Sequence, residues 1–142
     1  MIAIGNDHAG YEMKLVLIEH LKQRGYEVRD FGTDSTESCD YPDFAKEVAR
    51  EVVNGDAECG ILVCGTGIGM SIAANKVKGI RAAVVSDEFS TKATREHNDA
   101  NILCLGARVI DNEKAVKLLD IFLDTPFSEG ENHKRRISKL EQ

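Results

Sequence analysis

The sequence predicts a three-layer, doubly wound α/β domain of Rossmann-like type, with a five-stranded parallel sheet and an extra C-terminal helix. Two observations carry this. Short apolar runs alternate with amphipathic ones along the whole chain, and each apolar run stops near Gly, Asp, Asn or Cys. Strands joined by helices of such length connect as right-handed parallel crossovers, which puts helices on both faces of an open sheet.

The elements follow in order. IAIGN (2–6) is the first strand, after which Tyr11, Leu15, Ile18 and Leu21 fall at helical spacing. YEVRDF (26–31) is the second strand. Asp40 then stands as N-cap of a helix that tolerates Pro42 in its first turn and carries Phe44, Val48 and Val52 on one face. GILVC (60–64), IRAAVV (80–85) and ILCLG (102–106) are the remaining strands, with Ser71–Val77 and Asp87–His97 as the helical crossovers between them. Ala115, Leu118 and Phe122 mark another helix, and the tail SEGENHKRRISKLEQ forms a further one, an arm of about 131–142 with no strand to follow. No repeat, linker or low-complexity segment interrupts residues 1–142, which are expected to form a single domain.

At 142 residues, 42% of them hydrophobic, the chain has the size of one domain with a buried core. A net charge of -6 spread over its length argues against nucleic acid or an anionic membrane as partner. No apolar run approaches the ~20 residues of a bilayer span, and MIAIGNDHAG has neither the charged start nor the long apolar core of a signal peptide. Cys39, Cys59, Cys64 and Cys104 lack CxxC spacing and the density of a disulfide scaffold. A reducing, cytoplasmic location is expected.

In an open α/β sheet the ligand sits outside the carboxyl ends of the strands. The first strand ends in Asn6-Asp7-His8, the third in Cys64-Gly65-Thr66-Gly67 and the fourth in Ser86-Asp87, while His97-Asn98-Asp99 approaches the fifth. All are expected at one edge. Counted from Gly65, the glycine run CGTGIGM has Met70 where a dinucleotide fingerprint needs its last Gly, and no GK[ST] phosphate loop exists. Gly65, Gly67 and Gly69 instead let backbone approach a ligand closely, with the N–H groups opening the next helix aimed at negative charge. The competing reading is a glycine turn that only packs a helix on its strand. A helix N-terminus favours the thiolate of a preceding cysteine, which singles out Cys64, although a lone Cys ending a buried strand is also an ordinary small core residue. For Cys39, Cys59 and Cys104 the core reading is preferred. His8 and His97 are loop histidines beside carboxylates, open between catalysis and capping, and His20 is expected in solvent. The run His133-Lys134-Arg135-Arg136 is a solvated helix face or carries a phosphate-binding arginine.

NDHAG, DYPDFA, GILVCGTGIGMSIAANK, GIRAAV, HNDANIL, LGARVI and HKRR, in this order over nearly the whole length, resemble the type B ribose-5-phosphate isomerases, grouped with the galactose-6-phosphate isomerase subunits. The resemblance implies interconversion of ribose 5-phosphate and ribulose 5-phosphate in the pentose phosphate pathway. It implies no metal, no cofactor, and a homodimer with active sites at the subunit interface, with tetramers of paired dimers left open. Carried over residue by residue, Cys64 matches the base, Thr66 the hydroxyl that helps move the proton between the two oxygens, and Gly65, Gly67, Ile68, Gly69 and Met70 the anion hole around the enediolate. His97 with Asp7 matches the pair that opens the furanose ring. His8, Asn98, Arg108, His133 and Arg136 match positions around sugar and phosphate. One departure is Asn132, where relatives often have Arg, so Arg135 is a candidate substitute in the phosphate clamp. A six-carbon aldose 6-phosphate of allose or galactose type, a non-catalytic sugar-phosphate or nucleotide binding module, and a metal hydrolase using Asp7, His8, His97 and Asp99 are the rival readings.

Overall fold

The computed structural model describes all residues from Met1 to Gln142. The chain runs β1 (Ile2–Asn6), a 3-10 turn (His8–Gly10), α1 (Tyr11–Gln23), β2 (Val28–Asp30), α2 (Tyr41–Val53), β3 (Cys59–Cys64), α3 (Ile68–Asn75), β4 (Ala82–Val84), α4 (Glu88–Asn98), β5 (Ile102–Gly106), α5 (Asn112–Asp124) and α6 (Glu131–Leu140). All strand pairs are parallel, in the order β2-β1-β3-β5-β4. The expected doubly wound architecture is the one observed.

The central strands are buried on both faces, which is why they read as unbroken apolar runs. Their side chains alternate between two cores. Ile2, Ile4, Ile61, Val63, Leu103 and Leu105 pack with Leu17 and Leu21 of α1 and Leu118 and Phe122 of α5. Ala3, Leu62, Cys64, Ile102 and Cys104 pack with Val48 of α2 and Met70 of α3 on the other side. The edge strands β2 and β4 have three residues each, shorter than the runs 26–31 and 80–85 suggested, because an edge strand lacks the second neighbour that would hold its ends.

Three further expectations are corrected. In α1 the buried stripe is Met13, Lys14, Leu17 and Leu21, whereas Leu15 is 47% exposed. Two stripes at helical spacing competed here. Gly10 settles the choice, because a Cβ there would stand 2.5 Å from the carbonyl oxygen of Val63, so only glycine lets α1 enter at this angle. Asp40 occupies the N-cap of α2, but its side chain makes no capping bond. His20 is not simply solvated, since its Nε2 lies 2.7 Å from Asp120 Oδ1, joining α1 to α5. No helix is long and apolar enough to cross a membrane.

Candidate active site

The connections leaving β1 and β3 diverge, one toward β2 and the other toward β4, so a crevice opens between their carboxyl ends. Asp7 stands on one wall. Its Oδ1 accepts from the N–H groups of Ala9 and Gly10 at 2.9 and 3.2 Å, capping the 3-10 turn and setting where His8 points. His8 Nδ1 accepts from the Cys39 N–H at 3.4 Å, with Cys39 Sγ at 3.8 Å. Cys39, set aside on sequence grounds, therefore lies beside the crevice.

Cys64 stands on the other wall, 5% exposed. The Gly67 N–H donates to its Sγ at 3.1 Å, in a turn that Gly67 completes at φ 79°, left-handed backbone that favours glycine. Because the turn closes at Gly67, α3 begins at Ile68 and not at Ser71 as the sequence suggested. Thr66 Oγ1 accepts from the Ile68 N–H at 3.2 Å, which leaves its hydroxyl proton free to donate. Of the amides expected to face an anion, those of Gly67 and Ile68 are already engaged within the turn. The N–H groups of Gly65, Thr66, Gly69 and Met70 have no acceptor within the chain.

Two side chains roof this turn. A Cβ on Gly69 would lie 2.7 Å from the Tyr41 ring, and one on Gly65 would lie 3.2 Å from Arg108 Nη1. Arg108 is held there by its own N–H, which donates to Gly65 O at 2.9 Å. Tyr41 escaped the sequence reading, although it lies within the motif DYPDFA. Lys14 escaped it too. At 1% exposure its Nζ reaches Asp30 Oδ2 at 2.9 Å and Thr33 O at 2.7 Å, tying the loop after β2 to α1. Asn6 braces the same loop, its O accepting from the Thr33 N–H at 3.4 Å. Cys59 and Cys104 are core residues as read: burial pushes the Cys59 thiol up to about 12 and the Cys104 thiol higher still.

The remaining expected residues form a second cluster. The rings of His97 and His133 stack, with centroids 4.5 Å apart and planes at 12°. Local desolvation, then the neighbouring charges of His97 and Arg136, hold the His133 imidazole below its usual range. Asn98 ends α4 beside His97.

The two clusters do not meet within one chain, and this corrects the expectation of a single edge. α4 runs back from the carboxyl end of β4 to the amino end of β5, so His97 and Asn98 sit at the amino edge of the sheet, whereas Cys64 ends β3 at the carboxyl edge. A strand of six residues separates those edges by roughly 15–20 Å. Asp7 and His97 consequently form no pair in one chain. The quartet Asp7, His8, His97 and Asp99 is likewise split, and Asp99 is engaged by Arg95 Nη1 at 2.9 Å.

A thiol in a turn of unpaired amides, roofed by an arginine at the switch point of a doubly wound sheet, is the architecture of an α/β enzyme for small anionic substrates. The family described as Ribose/Galactose Isomerase matches residues 2–140. Ribose-5-phosphate isomerase B of Escherichia coli K12 is 46% identical over 139 residues, covering 98% of this chain and 93% of that protein. Among solved structures, ribose-5-phosphate isomerase B of Clostridium thermocellum superposes with a TM-score of 0.97 at 51% identity, covering 99% of this chain and 94% of that one. The enzyme of the same name from Mycoplasma genitalium, with bound ribulose-5-phosphate, gives 0.94 at 44%, covering 99% and 93%. This chain belongs to the ribose/galactose isomerase family.

Proposed function

We propose that the protein interconverts ribose 5-phosphate and ribulose 5-phosphate through an enediolate, with Cys64 as base. The observation that carries this reading is the Cys64 thiol, bonded by the Gly67 N–H and surrounded by amides with free hydrogen-bonding capacity. The thiolate removes the proton from C2 of the open-chain aldose and returns it to C1. Negative charge building on the substrate oxygens is met by the N–H groups of Gly65, Gly69 and Met70, and the Thr66 hydroxyl relays the proton between those oxygens. Arg108, over Gly65, adds positive charge at the same place.

The site is shared between two copies of the chain. His97, Asn98, His133 and Arg136 lie at the wrong edge to serve their own Cys64, so they serve that of a second copy, His97 there acting with Asp7 to open the sugar ring. Ile68 and Ile72 of α3 and Val84 of β4, all exposed, offer the apolar surface such an assembly covers. Four free cysteines fit a reducing, cytoplasmic setting.

Assaying ribose 5-phosphate, allose 6-phosphate and galactose 6-phosphate in parallel, with and without chelator, tests the reading. Turnover of ribose 5-phosphate with chelator present is the expected outcome. The family description names galactose as well as ribose, so preference for a six-carbon substrate would move the assignment within the family. No turnover of any aldose phosphate would leave a binding module.

A further inference from the structure

Helix α6, which carries His133 and Arg136, has no buried residue and only Ile137 as a half-buried apolar one, so apolar packing gives it a single point of support. Its ends are held instead by two polar contacts. Near the start His133 stacks on His97. At the C-cap, Glu141 Oε1 accepts from Arg81 Nη1 at 2.8 Å, with the two side chains 31% and 20% exposed. One contact alone is a pivot. A second, about 12 Å further along the axis, sets the direction in which the intervening Arg136 is presented.

Arg81 is itself anchored on the other element of the cluster. Its Nε donates to Asn98 O at 3.0 Å and Asp99 O at 3.2 Å, and its Nη2 donates to Asp99 O at 3.0 Å. These are carbonyls at the end of α4, left without intrahelical partners where Asp99 turns into the left-handed region at φ 46°. The backbone of Arg81 is pinned as well, its N–H donating to Asn101 Oδ1 at 2.8 Å. The guanidinium fork alone spans both acceptor groups, a reach that a lysine ammonium lacks.

We propose that the Arg81–Glu141 pair is a positioning latch that joins the end of α4 to α6, so that Asn98, the stacked imidazoles and Arg136 are delivered to the substrate phosphate and ring as one rigid arm. This rests on the assignment of Arg136 to the phosphate. Arg81 and Glu141 touch no substrate; they act through Arg136.

Steady-state kinetics on the full chain with ribose 5-phosphate, alongside thermal unfolding, tests the latch. Glu141→Ala is expected to raise KM about three- to ten-fold while kcat changes less than about two-fold, the size of one lost hydrogen bond acting on placement. The melting temperature should stay put. Glu141→Gln, which keeps a neutral hydrogen bond, should fall between Glu141→Ala and the parent, and Arg81→Lys should resemble Glu141→Ala. In an Arg136→Ala background, Glu141→Ala should have no further effect on KM. An unchanged KM in Glu141→Ala overturns the latch, as does an equal fall in kcat and stability. If Arg136→Ala alone leaves KM unaltered, the phosphate assignment fails and the latch with it, whereas a large Arg136 effect beside a silent Glu141 variant removes the latch alone.

Discussion

The N–H of Gly67 points at the sulfur of Cys64 across 3.1 Å, so the turn that opens α3 also solvates the thiol. Cys64→Ser preserves an acceptor for that bond but substitutes a hydroxyl that does not ionise near neutral pH. Isomerisation should fall about 100- to 10,000-fold, the usual range for loss of a general base, while ribulose 5-phosphate still binds. Gly67→Ala should harm both stability and rate, because φ 79° is strained for any side chain and the new Cβ would meet the Leu105 backbone at 2.9 Å. Near-parental turnover in Cys64→Ser would remove Cys64 as base.

Gly69→Ala tests the roof. The added methyl would overlap the Tyr41 ring at 2.7 Å, and since the contact is with the far end of a side chain, the ring swings aside and the fold survives. The expected result is a lower kcat/KM with little change in urea midpoint. Tyr41→Ala in the same variant should add little further loss, because the ring has already left its place. A variant with normal kinetics would show that Tyr41 does not shape the site.

The proposed sharing of the site between two copies predicts complementation. Cys64→Ala and His97→Asn chains, each nearly inactive, are unfolded and refolded together so that they reassort. Half the dimers are then mixed, and in each mixed dimer one site carries both defects and the other neither, so about a quarter of all sites recover. Absence of recovery in a mixture shown to contain mixed dimers would overturn the shared site.

The His133 imidazole, held below its usual range chiefly by desolvation and then by His97 and Arg136, makes docking of α6 sensitive to acid. Between the ordinary histidine value of about 6.5 and the lower value in the folded chain, the unfolded chain binds more protons. Stability from this group is therefore present above that window and declines as pH falls through it. The protection factors of α6 amides, with the slower intrinsic exchange at lower pH divided out, should fall on acidification across this window, and His133→Gln should flatten the response. An α6 equally protected at all these pH values would contradict it.

Much of the architecture was legible in the sequence because the signals are local. IAIGN, GILVC and ILCLG lie between two helical layers, and burial on both faces leaves an apolar run that any window of five or six residues detects. The glycine turn after Cys64 was legible for a similar reason: thiol, hydroxyl and glycines are contiguous, and the backbone between them closes one turn. Spacing failed where two local solutions were equal. The Tyr11-Leu15-Ile18 stripe of α1 competes with Met13-Leu17-Leu21, and contact of Gly10 with β3 chose the second.

By itself, then, the sequence determined the alternating elements and the chemical equipment of the Cys64 turn, both consequences of interactions within a few residues of one another, and the alternation implied the parallel doubly wound sheet through the handedness of its crossovers. Only the tertiary structure decided that β5 inserts between β3 and β4, that Lys14 is buried against Asp30, and that Tyr41 and Arg108 cover the glycine turn. It alone decided, too, that His97 lies at the opposite edge of the sheet from Cys64. The strand order sets which neighbours meet, and the return direction of each helix sets which edge its last residue reaches; neither is written in the spacing of apolar residues along the chain.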